Sequence, residues 1–195
     1  MKISILIITF LMAAIGFGSW ILLPLVLTEK NEIPLADIIG FVVDSEENIF
    51  IGSQFYGRIQ VYNENGEFLR NWKVDALEGA FNISLSEKNN ILITTARGRE
   101  QIEYDLFGNI LSRKEIGSYE NEPKNENTFT AESGITYQLK GKVINKLIRT
   151  EPEKIVIKQN VLLQILNPMK SIFLIIIGSL LVFLLKRRKH DTVYN

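Results

Sequence analysis

The sequence predicts a membrane-anchored all-β protein, in which a small number of meander units lie between two apolar, membrane-spanning helices. Three observations carry this. The middle of the chain alternates apolar and polar residues in short runs separated by Asn, Asp, Ser and Gly. Those runs recur at a fixed spacing. Each end of the 195-residue chain carries a long uncharged stretch, and the second leads directly into Lys186, Arg187, Arg188 and Lys189.

Residues 3–27 contain no charge. As a helix they rise about 38 Å, against a hydrocarbon core of about 30 Å. The competing reading is a cleaved signal peptide, whose apolar region runs to about 7–15 residues before a small-residue site. Ala13, Ala14, Gly16, Gly18 and Ser19 offer such residues, but cutting there leaves the apolar run from Trp20 to Leu27 on the mature chain. An uncleaved helix is therefore expected over 1–28.

Residues 29–160 are expected to form the β-repeat domain. Ile39, Phe41 and Val43 alternate, Asp44 to Asn48 reads as a polar turn, and Ile49 to Ile51 is a short apolar run. Ile59 and Val61 alternate again before the turn sequence Asn63-Glu64-Asn65-Gly66. A shift of 42 residues carries Ile39 to Phe81, Phe41 to Ile83, Asn48 to Asn90, Ile51 to Ile93, Tyr62 to Tyr104 and Gly66 to Gly108. Gly57-Arg58 meets Gly98-Arg99 at 41, which implies a local change of register. A third, shorter copy is expected after the acidic linker Ser118 to Asn127. It comprises Thr128 to Ala131, a Glu-Ser-Gly turn, Ile135 to Leu139 and Lys142 to Ile148, with Tyr137 and Gly141 lying 33 residues after Tyr104 and Gly108. Glu153 to Asn160 alternates like one more strand.

Residues 161–187 are read as a lead-in and the second span, starting at Asn167-Pro168, where Asn suits an N-cap and Pro the first helical turn. The tail 188–195 follows. Lys2 precedes the first span and Lys186, Arg187, Arg188 and Lys189 follow the second, so both termini are expected in the cytoplasm, with residues 29–167 outside it at a plasma membrane. The partners implied are a lipid bilayer and another membrane or surface protein.

Composition excludes several function classes. The chain has no cysteine, and its one histidine is His190, which removes disulfides, thiolate nucleophiles, a His-based triad and a His-rich zinc site from the middle domain. Between Glu29 and Lys170 there are 17 basic and 21 acidic side chains. Nucleic acid is not an expected partner of such a balance. No cofactor or metal is expected.

Units of about 40 residues with several short strands each are the sequence signature of propeller blades. Gly40-Phe-Val-Val-Asp-Ser-Glu-Glu-Asn-Ile-Phe-Ile-Gly52, followed by Gly57-Arg-Ile-Gln-Val-Tyr-Asn-Glu-Asn-Gly-Glu-Phe-Leu69, resembles an NHL-type β-propeller repeat, and Ala80 to Leu111 resembles it more weakly. The resemblance implies four-stranded blades that serve most often as binding platforms and occasionally as enzymes. Tyr104 to Leu111 also resembles a YD-type repeat of bacterial surface proteins. About three units are too few to close a ring. An open stack, a sandwich-like packing, and part of a ring completed by another subunit all remain open.

Asp44 to Asn48 is weighed as a calcium loop, but the EF-hand positions for Gly and Glu hold Ile49 and Phe55, so a turn is expected. Arg58, Arg97 and Arg99 are the candidate ligand-binding residues, cations on equivalent loops that suit an anionic group. Phe55, Tyr56, Trp72 and Phe107 are either a recognition surface or core. Asn82-Ile-Ser84 has the form of a glycosylation sequon on a predicted strand. The function expected is display of the β domain outside the cytoplasm for protein or ligand binding, without catalysis. The alternatives are a propeller-type hydrolase or lyase working through Asp, Glu, Arg or Tyr, and a small subunit of a membrane assembly.

Overall fold

The computed structural model describes residues 28–77, 79–117, 127–140, 146–157, 159 and 175–180, with single positions 7, 10, 11, 14, 18, 163 and 167. Leu27–Gln159 form one compact unit, and Met1–Val26 with Asn160–Asn195 form another. Among the described residues of the first unit, twelve short strands make three antiparallel four-stranded sheets. Sheet 1 joins β1 (Ile38–Val43), β2 (Ile49–Ser53), β3 (Arg58–Tyr62) and β4 (Phe68–Lys73) in chain order. Sheet 2 joins β5 (Phe81–Leu85), β6 (Ile91–Thr95), β7 (Glu100–Tyr104) and β8 (Ile110–Glu115), and sheet 3 joins β9 (Thr128–Thr130), β10 (Thr136–Lys140), β11 (Lys146–Arg149) and β12 (Lys154–Ile155).

Each sheet is a blade-like meander because its turns are specified by side chains. Asp44 Oδ1 accepts from the N–H groups of Glu46 (2.9 Å) and Asn48 (2.7 Å), and Asp105 Oδ1 accepts from those of Phe107 (2.8 Å) and Asn109 (2.9 Å). Asn63 does the same for Asn65 and Glu67, as does Ser86 for Lys88 and Asn90. A short oxygen-bearing side chain at the first turn position satisfies backbone donors that the reversing chain takes out of the ladder. The Asp44 carboxylate is thus committed to a turn.

From the second strand to the fourth, the repeat of 42 holds without a change of register, and only β1 departs, with an irregularity between Ile38 and Gly40 that β5 lacks. The bond Val74 N–H to Gly57 C=O recurs as Ile116 N–H to Arg99 C=O, and the irregularity between Val61 and Tyr62 recurs between Glu103 and Tyr104. Gly57 therefore corresponds to Arg99, with φ of 58° and 50°, and Arg58 corresponds to Glu100. Matching Gly57-Arg58 with Gly98-Arg99 by identity was misleading, because a backbone conformation can repeat where the residue does not. The third unit is also complete. Its first turn, Ala131 N–H to Ile135 C=O and Gly134 N–H to Ala131 C=O, copies the Ser86 turn 45 residues later. Tyr137 lies on a second strand whereas Tyr104 ends a third, so the 33-residue spacing is corrected.

Sheet 1 is apolar on both faces. Val42, Phe50, Ile59 and Val61 pack with Ile83, Ile91, Ile93, Ile102 and Tyr104 of sheet 2. Phe41, Val43, Ile49, Ile51 and Tyr62 pack with Ala131, Tyr137 and Leu147 of sheet 3. Each fully buried side chain of this size contributes about 1.5–3 kcal/mol. Forty-two residues beyond Val42, Phe50, Ile59 and Val61 stand Ser84, Leu92, Gln101 and Glu103. Sheet 2 thus offers one apolar face, and the sheets stack in the order second, first, third.

The expected flanking membrane-spanning helices are corrected. Among the described residues no helix is long and apolar enough to cross a membrane. The described helix on the C-terminal side covers 175–180, a rise of about 9 Å against a hydrocarbon core of about 30 Å. Most of 1–28 and 161–187, together with Lys2, Lys186, Arg187, Arg188 and Lys189, lies outside the described residues.

Gly66 has φ +78°, and a Cβ there would run into the backbone carbonyl of Val156, whereas Gly134 at φ +81° has open space. Gly134→Ala is expected to cost about 1 kcal/mol from backbone strain alone. Gly66→Ala is expected to cost about 3 kcal/mol or more, because the clash adds to that strain. Urea unfolding of the two variants measures the difference, and equal losses would contradict the packing of sheet 1 on the segment after β12.

Candidate functional site

The three candidate arginines do not form one cluster of free cations. Arg58 opens β3, and its Nη1 donates to the Oδ1 of Asn71 on β4. Asn71 Nδ2 in turn donates to the carbonyls of Asn31 (2.7 Å), Thr28 (3.3 Å) and Glu29 (3.4 Å), and the Asn71 N–H donates to Glu29 C=O (2.9 Å). Burial lowers the Arg58 guanidinium from its ordinary value, with Glu29 opposing that shift. Arg58 thus helps to fasten the entering chain.

Arg97 is exposed and its Nη1 donates to Leu77 C=O at 3.2 Å, while its side chain lies against Gly79. Arg99 is exposed and holds the left-handed backbone conformation described above. Arg97 and Arg99 belong to the turn between β6 and β7 of sheet 2, and Arg58 to sheet 1. Among the described residues the three have no shared polar partner.

Sheet 2 carries, at the positions 42 residues after Arg58 and Asn71, a charged cluster that residue identity alone does not mark. The cation–amide contact Arg58–Asn71 is replaced in sheet 2 by the ion pair Glu100–Arg113, with the arginine now on the fourth strand. Arg113 Nη1 lies 3.2 Å from Glu100 Oε2, and its Nη2 lies 2.6 Å from Asp75 Oδ2. The bond to Asp75, then the field of Asp75 and Glu100, raises the Arg113 guanidinium above its ordinary value. All three groups are substantially exposed, so the cluster is a modest tie between β8 and the link that follows β4.

A second set of contacts joins the two ends of the unit. Gln159 Nε2 donates to Glu32 Oε1 (2.9 Å) and Ile33 C=O (2.8 Å), and its Oε1 accepts from Leu35 N–H (2.8 Å). The Tyr62 hydroxyl donates to Glu32 Oε1 at 3.0 Å, Ile33 N–H donates to Gln60 Oε1 at 2.9 Å, and Ser53 Oγ donates to Ala36 C=O at 2.6 Å. Burial first, and Glu32 second, pushes the Tyr62 hydroxyl well above its ordinary value, so it remains a donor.

The shifted carboxylates are Glu103 and Asp105. Asn90 Nδ2, 2.8 Å from Glu103 Oε1, holds that carboxyl below its ordinary value against partial desolvation, helped by Ser112, Ser86 and Lys88. Desolvation pushes Asp105 upward, but bonds from Asn109, Phe107 and Gly108 outweigh it and hold Asp105 low as well. Both therefore stay ionised at neutral pH. Among the described residues no group of three or more His, Cys, Asp or Glu is placed to hold a metal ion.

The candidate aromatic surface divides. Trp72 is buried, edge-on to Phe50 at 6.1 Å, and the Cβ position of Gly108 lies 2.6 Å from its ring. Phe55 and Tyr56 pack edge-on at 4.9 Å and are half-buried. Phe107 is 71% exposed at a turn tip, with the Arg70 guanidinium 4.8 Å from its ring centroid. Asn82 and Ser84 of the sequon lie on β5.

The class defined by these features is a propeller-like, all-β blade domain whose polar groups mainly serve its turns and its ends. Comparison with known proteins adds narrow matches. No family model matches the chain. A 62-residue stretch is 32% identical to the B-box type zinc finger protein ncl-1 of Caenorhabditis elegans, covering 32% of this chain and 7% of that protein. A catalytically inactive virginiamycin B lyase from Staphylococcus aureus aligns at 16% identity and TM-score 0.38, covering 57% of this chain and 37% of that one. A streptogramin B lyase aligns at 12% and 0.39, covering 62% and 39%, and a Kuenenia stuttgartiensis hydrazine synthase at 10% and 0.39, covering 67% and 37%. The chain spans well under half of each of these proteins.

Arg58→Ala is expected to lower stability by about 1–2 kcal/mol, through the lost bond to buried Asn71, while Arg99→Ala stays within about 0.5 kcal/mol of the parent. Denaturant titration of both checks this, and a large loss at Arg99 alone would reverse the assignment. The depressed carboxyls of Glu103 and Asp105 contribute stability above their unfolded values, near pH 4. That contribution is lost as pH falls through their lower folded values. Asp105→Asn is expected to flatten the fall in melting temperature between pH 5 and about pH 2, relative to the parent chain.

Proposed function

We propose that residues 29–160 form a non-catalytic binding module for another protein or a ligand, built from blades of the NHL type. The observation that carries this reading is the outer strand β8, exposed at all six positions and carrying Ile110 and Leu111 at 46% and 53% exposure beside a turn that presents Phe107. Exposed apolar side chains on a rigid sheet suit recognition. Further support comes from Asp44, Glu103 and Asp105, whose carboxylates are occupied by turn and strand donors. The blade motif from Gly40 to Leu69 supports the NHL assignment. Presentation outside the cytoplasm belongs to the same proposal, supported by the acidic balance of 29–170 and the lack of cysteine.

Site-specific photo-crosslinking in cells tests the module. A photoreactive residue at position 107 or 111 is expected to give one discrete higher-mass adduct, and one at exposed Glu132 none. Adducts from neither position 107 nor 111, together with turnover of an ester or glycosidic substrate by the purified chain, would overturn it in favour of a hydrolase or lyase.

A further inference from the structure

The outer edges of sheets 1 and 2 are structurally equivalent but differently filled. In sheet 1 the Asn71 N–H points away from β3 and donates to Glu29 C=O at 2.9 Å, so an extended segment of the chain covers that edge. The counterpart of Asn71 in sheet 2 is Arg113. Ile116 N–H donates inward to Arg99 C=O, which fixes the alternation along β8: Ser112 and Lys114 turn their backbone groups toward β7, and Arg113 and Glu115 turn theirs outward. Among the described residues nothing takes the outward N–H groups of Arg113 and Glu115.

We propose that β8 receives, by strand addition, an extended segment of a partner protein that alternates acidic and apolar residues. The proposal rests on the binding-module reading and specifies its surface. An open edge supplies affinity through main-chain bonds, and the side chains on each face supply selectivity.

Those faces differ. Ser112 and Lys114 pair with Glu103 and Gln101, and the Lys114 ammonium is exposed with no ion pair among the described residues. Glu103, one strand further in, is saturated by Asn90, Ser86 and Ser112, which leaves Lys114 to attract an acidic residue on the incoming strand. On the opposite face Ile110 pairs with Tyr104, Arg113 with Ile102 and exposed Glu115 with Glu100, and the Glu115 carboxylate repels an acidic residue there. Arg113 is already neutralised there by Asp75 and Glu100, so Ile110 favours an apolar neighbour. Acidic residues on one face and apolar residues on the other are the period-2 pattern of a single strand.

The test uses the full chain and two acetylated, amidated heptapeptides, Val-Glu-Val-Glu-Val-Glu-Val and its lysine counterpart, followed by fluorescence anisotropy and by hydrogen exchange at β8. The glutamate peptide is expected to bind, with the amides of Arg113 and Glu115 slowed at least 10-fold in exchange, and the lysine peptide to bind at least 10-fold more weakly. Glu115→Pro, which removes an outward donor but no ladder bond, is expected to abolish binding. Glu115→Ala, which keeps the donor, is expected to retain it, and circular dichroism of both variants checks that they fold. Equal binding of both peptides, unchanged affinity in a folded Glu115→Pro, or a β8-dependent dimer without peptide would overturn the proposal. If position 107 or 111 still gives its adduct in the Glu115→Pro chain, the module stands and the edge assignment alone fails.

Discussion

A four-stranded sheet that is apolar on both faces cannot stand in water alone, and sheet 1 is such a sheet. Phe41 and Val42 are consecutive and both buried, as are Ile49 and Phe50, so neither face can be left to solvent. Sheets 2 and 3 are the covers. Each covers one side, and each carries polar residues on at least part of its other side, with Ser84, Gln101 and Glu103 in sheet 2 and Thr130, Thr136 and Gln138 in sheet 3. The stacking order follows from which faces are apolar, and this is why the third blade returns to the first.

The polar interactions then divide into two jobs. One is to make turns, where Asp44, Asn63, Ser86 and Asp105 each accept two backbone N–H groups and hold the strands in register. The other is to fasten the segments that cross the sheets, through the Arg58–Asn71 pair, the Arg113 cluster and the Gln159 contacts. Charges used in this way are folding elements first, and what remains free for recognition is concentrated on β8 and the turn before it.

Much of the fold was legible in residues 38–69. The turn sequences, the short strands and the 42-residue repeat all follow from residue type and spacing, and the structure gives three four-stranded sheets among the described residues. Less visible was the register at Gly57 and Arg99, because a left-handed backbone position that favours glycine is filled there by arginine. The third blade was obscured for a similar reason: Ala131 stands where Asp44 and Ser86 stand in the other blades, so the side-chain signal of the turn is gone although its backbone bonds persist. Val42 and Phe50 did break strict alternation, and that break marks a sheet buried on both sides. Of the candidate site, Phe107 was legible only as one of four aromatic residues that read as either a recognition surface or core, and the structure leaves it exposed. The link between Glu32 and Gln159 was not, since a contact across 127 positions leaves no local pattern.

That link changes how the domain transmits force. Thr28 and Gln159 bracket all three described sheets in sequence, yet Gln159 is bonded directly to residues only a few positions beyond Thr28. A pull applied between the two boundaries is borne first by a few side-chain and backbone hydrogen bonds, and the sheets lie in parallel with that short path. While the clasp holds, the blades are shielded from tension. Once it breaks, the load passes to the segments that pack on sheet 1.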